Sequence, residues 1–149
     1  MNPLEILIKH WQEAAQEAYF IRKQVFIKEQ GVPKDMELDE FDPTAKHALA
    51  YEGHLCVGTG RLVTLDSHHA QIGRMAVLST FRNRGIGSAI LSSLITLAKA
   101  EGVLTLMLHS QVSAIPFYAK HGFITEGLIY DEAGIAHRNM ILSLSKTIK

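Results

Sequence analysis

The sequence has a single cysteine, Cys56, and no excess of charge of either sign. One cysteine excludes an internal disulfide and is typical of a reducing compartment. The 15 basic and 15 acidic residues cancel, which argues against nucleic acid or an anionic membrane as a partner. No apolar run approaches the ~20 residues of a membrane span, and the first residues lack the pattern of a signal peptide. We therefore expect a cytoplasmic protein with no nucleic-acid or membrane partner.

Clustered metal ligands are also lacking. The 8 histidines show no pair whose spacing, together with carboxylate or thiolate neighbours, is typical of a metal site. Cys56 lies inside an apolar strand pattern, which favours a buried packing residue over a nucleophile. No metal cofactor is expected.

The length and composition are those of one globular domain. A chain of 149 residues can bury roughly 68–70% of its unfolded surface. Apolar residues make up 47% of the sequence and charged residues 20%, and there are no internal repeats. We predict a single domain over residues 1–149.

The apolar periodicity predicts alternating strands and helices. Helical spacing runs over Gln12–Glu29 and Gly85–Ala100, and a short helix is predicted in "SAIPFYAKHG", with Ser113 as its N-terminal cap. Strand patterns occupy "LEILIK", both arms of "HALAYEGHLCVGTGRLVTL", "AQIGRMAVL", "VLTLMLHS" and both arms of "FITEGLIYDEAGIAHRNMILSLS". The predicted order is β-α-β-β-β-α-β-α-β-β, an α/β domain with a mixed sheet of about seven strands flanked by helices.

The segment Arg82–Gly87, "RNRGIG", lies where a strand gives way to the second long helix. Glycines allow backbone N–H groups to approach a ligand, and a helix N-terminus favours negative charge. The guanidinium groups of Arg82 and Arg84 suit phosphate oxygens. The segment matches neither a P-loop nor a dinucleotide fingerprint. It therefore indicates a phosphate-bearing ligand of another kind, or else a tight turn with two solvated arginines.

These six residues resemble the acyl-coenzyme A signature R-x-x-G-x-G of the GNAT superfamily of N-acetyltransferases. "GRMAV" resembles the strand before that signature, and "SAIPFYAKHGF" resembles a later helix of the family, including its aromatic-tyrosine pair Phe117-Tyr118. "IRKQVFIKEQGVP" and "GIAHRNMILSL" resemble the small bacterial ElaA-like subgroup. One departure is Ser110-Gln111, where many relatives have an asparagine. The resemblance implies a GNAT-like fold with a mostly antiparallel sheet.

The resemblance also implies acetyl-coenzyme A as cosubstrate. The strand would contact the pantetheine arm, and the loop with the helix start would wrap the pyrophosphate. The implied binding residues are Met75, Ala76, Val77, Arg82, Asn83, Arg84, Gly85, Ile86, Gly87, Ser88 and Gln111.

The implied activity is transfer of an acetyl group to a primary amine of a small molecule or peptide, by direct attack through a tetrahedral intermediate. Tyr118 matches the tyrosine that protonates the departing thiolate, although it could simply be a core aromatic. A base must deprotonate the amine, and His109, Glu29 or a water chain could serve. The alternative function is a catalytically silent sensor that binds an acyl-coenzyme A on the same fold.

An acidic segment follows the first helix. It holds six acids against one base, Lys34, and its acids are Glu29, Asp35, Glu37, Asp39, Glu40 and Asp42. If these carboxylates border the acceptor side of the cleft, they would favour cationic amines. Otherwise they only solvate a loop. The final strands could pair with a second copy in a homodimer, or their edge could be covered.

Overall fold

The computed structural model describes residues 3–33 and 39–144, and within them seven strands form one sheet. Along the sheet the order is β1-β2-β3-β4-β5-β7-β6, and every neighbouring pair is antiparallel except β4 and β5. The predicted α/β class, element order and mixed sheet are confirmed. The strands are β1 Leu4–His10, β2 Lys46–Glu52, β3 Leu55–Thr64, β4 His69–Val77, β5 Thr105–Gln111, β6 Ile124–Glu132 and β7 Ile135–Ser143.

Three α-helices accompany the sheet in the part of the chain that the structure describes. Helix α1, Trp11–Arg22, continues without a break into a π-helical segment, Lys23–Glu29. The first helix therefore spans the predicted length, but its last seven residues are wound more loosely. Helix α2 is Ile86–Ala100 and α3 is Ile115–Ala119. No helix in these two described ranges has the length and apolarity that crossing a membrane demands.

Helix α2 lies very close to strand β3. Its residues Ile90 and Leu94 are fully buried, and each buried side chain of this size contributes about 1.5–3 kcal/mol. The close approach requires glycine in the strand, because a Cβ on Gly60 would lie 2.6 Å from the sulfur of Met75 and 2.9 Å from Cγ2 of Ile90. The start of α2 is thereby held beside β4.

One face of the first helix and its π-helical continuation carries small and β-branched residues that pack against the sheet. Ala14, Ala18, Ile21 and Val25 are all buried, at the spacing that the sequence predicts, and they pack with Leu49 of β2. The end of the π-helical segment is consequently positioned against the sheet.

Strands β4 and β5 pair only at their beginnings, where His69–Gln71 lies beside Thr105–Met107. Further along, β4 contains a bulge: Arg74 and Met75 together oppose Gly60 of β3, and Arg74 has a φ of 50°. A bulge bends its strand and re-aims the chain. Beyond the paired segment the two strands diverge, and within the described residues no strand pairs with that edge of β4.

One local prediction was wrong. Ser113 does not cap α3, because it lies inside a 3-10 turn, Val112–Ala114, and the N-cap position belongs to Ala114. No side chain caps this helix. Pro116 stands in the first turn, where a missing N–H costs little.

Candidate active site

A cleft of about 720 Å³ opens where β4 and β5 diverge. Its lining includes nearly all of the residues predicted as a site from the sequence. From β4 and the following loop and helix come Met75, Ala76, Val77, Arg82, Asn83, Gly85, Ile86, Gly87 and Ser88, and from β5 and α3 come His109, Gln111 and Tyr118. The tertiary structure thus brings together segments that lie far apart in the chain.

The N-terminus of α2 opens into this cleft. Gly85 occupies the N-cap position with a φ of 79°, and no side chain caps the helix. The first helical hydrogen bond runs from the N–H of Ala89 to the carbonyl of Gly85. The N–H groups of Ile86, Gly87 and Ser88 precede it and have no carbonyl of their own helix to bind. These donors and the absence of acidic residues in this first turn make an anion site.

Three elements converge at Gly87. A Cβ at this position would lie 3.4 Å from Cζ of Phe117 and 4.0 Å from Cγ2 of Val77. The start of α2, the end of β4 and α3 therefore meet here. A methyl group would fit at ordinary contact distance, whereas anything longer would enter the cleft.

Both predicted phosphate-binding arginines are already engaged by carboxylates. Arg82 donates two hydrogen bonds of 2.6 Å to Glu29, and its Nε donates to the carbonyl oxygen of Val77 at 3.0 Å. Arg84 donates to Glu52 at 3.2 Å. Arg84 is not among the residues that line the cleft, and the prediction that these guanidinium groups hold phosphate stays a prediction. Arg82 chiefly ties the first helix to the end of β4.

The pairing with Arg82 also decides against Glu29 as a base. The hydrogen bond from Arg82 lowers the pKa of Glu29, and its charge acts in the same direction. A carboxylate with a lowered pKa is a poor proton acceptor at neutral pH. Glu29 is also not among the residues that line the cleft.

Tyr118 is held between two aromatic rings. Its ring meets Phe117 edge-on at 5.0 Å and Phe123 edge-on at 6.0 Å between centroids. Burial raises the pKa of Tyr118 to about 12, so its hydroxyl stays protonated at neutral pH. Within residues 3–33 and 39–144 this hydroxyl makes no hydrogen bond, although it lines the cleft. It is therefore available to a ligand.

His109 lines the cleft together with two residues that the sequence did not single out. Its Nδ1 is 3.2 Å from Oε1 of Glu132, and Nε2 of His137 is 3.9 Å from Oε2 of the same carboxylate. All three side chains line the cleft. Sequence reasoning missed Glu132 and His137 because they follow β5 by more than twenty residues and no spacing rule connects them.

A hydrogen bond joins two other cleft residues. The side-chain amide of Gln111 donates to Oε1 of Gln30 at 2.9 Å, linking the end of β5 to the residue after the π-helical segment. Gln111 was predicted as a cofactor contact, and it occupies the cleft as expected. Gln30 had no assigned role. The π-helical turn places Gln30 where its side chain reaches β5.

The comparisons with known proteins agree with this geometry. The profile of the acetyltransferase (GNAT) domain matches residues 9–144. The chain belongs to the GNAT acetyltransferase family. It is 33% identical over 139 residues to an uncharacterised N-acetyltransferase of Bacillus subtilis, YjcF, a match that covers 93% of this chain and 99% of that protein. The crystal structure of Escherichia coli ElaA superposes with a TM-score of 0.83 at 26% identity, covering 95% of this chain and all of that one.

The family and these relatives establish the class of reaction. A second solved structure, from Lactobacillus plantarum, superposes with a TM-score of 0.89 at 27% identity, covers 97% of this chain and 100% of that one, and was described as a candidate N-acetyltransferase. The protein is an acyltransferase that takes its acyl group from a coenzyme A thioester. The predicted membership of the superfamily and the likeness to ElaA are confirmed.

Two acids of the acidic segment, Asp39 and Asp42, are paired with arginines. Asp42 accepts hydrogen bonds from Arg22 at 2.9 Å and from Arg61 at 2.8 Å, and Arg61 also donates to both oxygens of Asp39 at 2.7 Å. Arg74 reaches Asp39 at 3.1 Å. The expectation that these acids attract a cationic acceptor is wrong for Asp39 and Asp42, which neutralise arginines.

The charges of this network depend on one another. Burial alone would raise the pKa of Asp39, but the hydrogen bonds and charge of Arg61, with Arg74, lower it to about 2. Burial likewise opposes ionisation of Asp42, and Arg22 with Arg61 overcomes it and lowers the pKa. Two predicted acids of the segment, Asp35 and Glu37, and the base Lys34 lie outside the described residues.

Cys56 is buried, as predicted, and burial raises the pKa of its thiol to about 11. A thiol with such a pKa carries almost no thiolate at neutral pH and is a poor nucleophile. Within the parts of the chain that the structure describes, no three histidine, cysteine or acidic side chains could hold a metal ion.

Asp42→Asn should destabilise the fold strongly. Arg22 and Asp42 are 1% and 2% exposed, so loss of the carboxylate charge leaves a buried guanidinium underpaired. Breaking a buried ion pair typically costs about 3–5 kcal/mol. The free energy of unfolding, measured with urea, should fall by about that amount.

Glu40→Gln is the matched control, because Glu40 is an exposed acid two residues away. It should change the free energy of unfolding by no more than about 0.5 kcal/mol. If Asp42→Asn and Glu40→Gln changed the free energy of unfolding equally, the buried ion pairs of Asp42 would not be what stabilises the segment after the first helix.

Proposed function

We propose that the protein is an N-acetyltransferase that moves an acetyl group from acetyl-coenzyme A to a primary amine. The observation that carries this proposal is the divergence of β4 and β5 beside the uncapped N-terminus of α2, with Tyr118 in the same cleft. The single reduced thiol, Cys56, is consistent with action in the cytoplasm.

The cleft suits the two recognisable parts of the cosubstrate. Beyond Gln71, the backbone N–H and C=O groups along one edge of β4 make no hydrogen bonds with a neighbouring strand in the described residues. A pantetheine arm contains amides and can bind such an edge in the way that an added β-strand does. The N–H groups of Ile86, Gly87 and Ser88 supply donors for the pyrophosphate. Acetyl-coenzyme A would supply an activated acyl group as its thioester.

His109 is the residue that we assign as base. A primary amine with a pKa of ~10.4 is almost wholly protonated at pH 7 and must lose a proton before attack. Because a carboxylate only accepts hydrogen bonds, Nδ1 of His109 carries the proton that Glu132 accepts. The other ring nitrogen, Nε2, then has the lone pair that can take the proton of the amine and pass it to solvent.

Tyr118 completes the transfer. Attack of the neutral amine on the thioester carbonyl forms the C–N bond and places negative charge on the carbonyl oxygen, for which backbone donors are the usual partners. The amine nitrogen becomes positively charged on attack and releases its extra proton to solvent. As the C–S bond breaks, the electron pair goes to sulfur, and the hydroxyl of Tyr118 donates its proton there. The tyrosinate then regains a proton from solvent.

The free hydroxyl also bears on the sensor alternative. Binding a coenzyme A thioester needs β4 and the start of α2, but it needs no proton-donating hydroxyl beside them. Tyr118 lines the cleft, and its hydroxyl has no hydrogen-bond partner in the described part of the chain. It favours a catalyst over a silent binding protein.

Gly87→Asp should abolish binding of coenzyme A. The new carboxylate would lie among the N–H donors of the helix start and repel the phosphates, whereas the fold should persist because the Cβ itself fits. Titration calorimetry should show affinity reduced by at least about 100-fold, the cost of roughly 2.7 kcal/mol.

Gly87→Ala is the control for size without charge and should bind coenzyme A within a few-fold of the original protein. Unchanged affinity of the aspartate variant would show that the pyrophosphate does not bind at the start of α2.

The activity itself is testable by release of free thiol from acetyl-coenzyme A. Primary amines, including polyamines, amino acids and lysine peptides, should raise thiol release above the slow hydrolysis seen without an acceptor, and the acetylated amine should appear in equal amount by mass spectrometry. Binding of acetyl-coenzyme A with no acceptor-dependent release across such a panel would instead favour the sensor.

Tyr118→Phe should lower kcat by at least about 10-fold, within the range for a lost general acid. The Kd for acetyl-coenzyme A should change little, because the ring and its two aromatic contacts remain. Phe123→Leu serves as a packing control that perturbs the same aromatic group without touching a hydroxyl. An unchanged kcat, measured where chemistry limits turnover, would make Tyr118 a packing residue only.

A further inference from the structure

Glu132 stands at the end of β6, next to the tight turn that leads into β7. The turn residues Ala133 and Gly134 both have positive φ, 53° and 79°, and the Gly134 N–H donates to Asp131 at 3.3 Å. This geometry is that of a two-residue hairpin, which fixes where the last side chain of the strand points. An alanine in this backbone region is uncommon and is often found at functional sites.

The turn directs Glu132 into the cleft. Glu132 is the one carboxylate that lines the cleft in residues 3–33 and 39–144. The other ionisable nitrogen-bearing residues of the lining are three arginines and two histidines: Arg61, Arg74, Arg82, His109 and His137. This carboxylate lies 3.2 Å from Nδ1 of the predicted base, His109.

The hydrogen bonds of the two histidines differ. Nδ1 of His137 is 2.7 Å from the carbonyl oxygen of Ile135, an acceptor, so this nitrogen carries the proton and Nε2 of a neutral His137 carries a lone pair. That lone pair faces Oε2 of Glu132 at 3.9 Å, which is too long for a hydrogen bond. Glu132 therefore has one hydrogen-bonded histidine, His109, at 3.2 Å.

His109 is also held from a second side. The ring of Tyr130 meets it edge-on at 6.0 Å, and Tyr130 is anchored by a 2.5 Å hydrogen bond to Asn139 on β7. An edge-on ring restricts rotation of the imidazole without supplying an acceptor to either nitrogen. The choice between the two neutral forms of His109 is thus left to Glu132.

We propose that Glu132 is the positioning residue of the acyl transfer, holding His109 in the form protonated at Nδ1 so that Nε2 faces the amine as proton acceptor. The inference rests on the proposed role of His109 as base. When Nε2 takes the proton of the amine, the ring becomes a cation, and the carboxylate of Glu132 stabilises it by a charge-assisted hydrogen bond. The proton then leaves to solvent, and nothing is oxidised or reduced.

The experiment combines kinetics with the protonation pattern of the imidazole. The variants are Glu132→Gln, which keeps the shape and removes the charge, and Glu132→Ala, which removes the acceptor. Each should lower kcat by about 10-fold or more, while KM for acetyl-coenzyme A stays within about two-fold, because the side chain of Glu132 interacts with His109 and His137 and not with the start of α2. Glu126→Gln, on the same strand but outside the cleft, should match the original protein.

Nitrogen-15 spectra of the histidine side chains supply a readout that a merely structural role would not move. In the original protein neutral His109 should be protonated at Nδ1. In Glu132→Ala it should shift toward the Nε2-protonated form, which imidazoles prefer without such a partner, while His137 keeps its pattern. His109→Gln assigns the signals and measures the contribution of the base.

The outcomes separate the two ideas. If His109→Gln lowers kcat but Glu132→Ala leaves both kcat and the His109 spectrum unchanged, the positioning role of Glu132 is overturned and the base role stands. If His109→Gln keeps the original kcat, the base role fails and the inference fails with it. If the Glu132 variants lower kcat and alter the His109 spectrum, the inference is supported.

Discussion

The loss of pairing between β4 and β5 is the constraint on which the rest of the molecule depends. The bulge of Arg74 and Met75 opposite Gly60 bends β4 away after only three paired residues. A sheet normally satisfies every interior backbone group, so a separated pair of strands leaves donors and acceptors that a bound molecule can satisfy. The cleft, which Tyr118 also lines, follows from this divergence.

Glycine and helix packing hold the second part of the site in place. Because Gly60 has no side chain, Ile90 and Leu94 bring α2 against β3, and the helix start comes to lie beside the bent end of β4. The N–H donors of α2 and the unpaired edge of β4 thereby face one cleft. A bulkier residue at Gly60 would push α2 away from the sheet and so separate the start of α2 from the end of β4.

The ion pairs of Arg61 and Arg82 connect the elements that surround the cleft. Arg61 and Arg82 reach carboxylates on segments that follow or end the first helix, and so they fasten that part of the chain to β3 and β4. In consequence both predicted phosphate-binding arginines are paired with carboxylates, whereas the first N–H groups of α2 have no carbonyl partner in their own helix. On β5, β6 and β7 the carboxylate of Glu132 lies between two histidines, His109 and His137.

The sequence by itself determined the fold class and the order of elements, because hydrophobic periodicity is a local property. Its motifs, through their resemblance to the GNAT family, also indicated part of the cleft lining. It could not determine which partner each charged side chain takes. Arg84 binds Glu52 and Arg82 binds Glu29 because of where distant elements pack. Only the tertiary structure decided that His109 meets Glu132, since β6 and β7 bring a carboxylate beside a histidine that lies 23 residues away in the chain. Local spacing encodes helices and strands, whereas an ion pair or a hydrogen bond across a sheet depends on register and packing, which no short stretch of sequence contains.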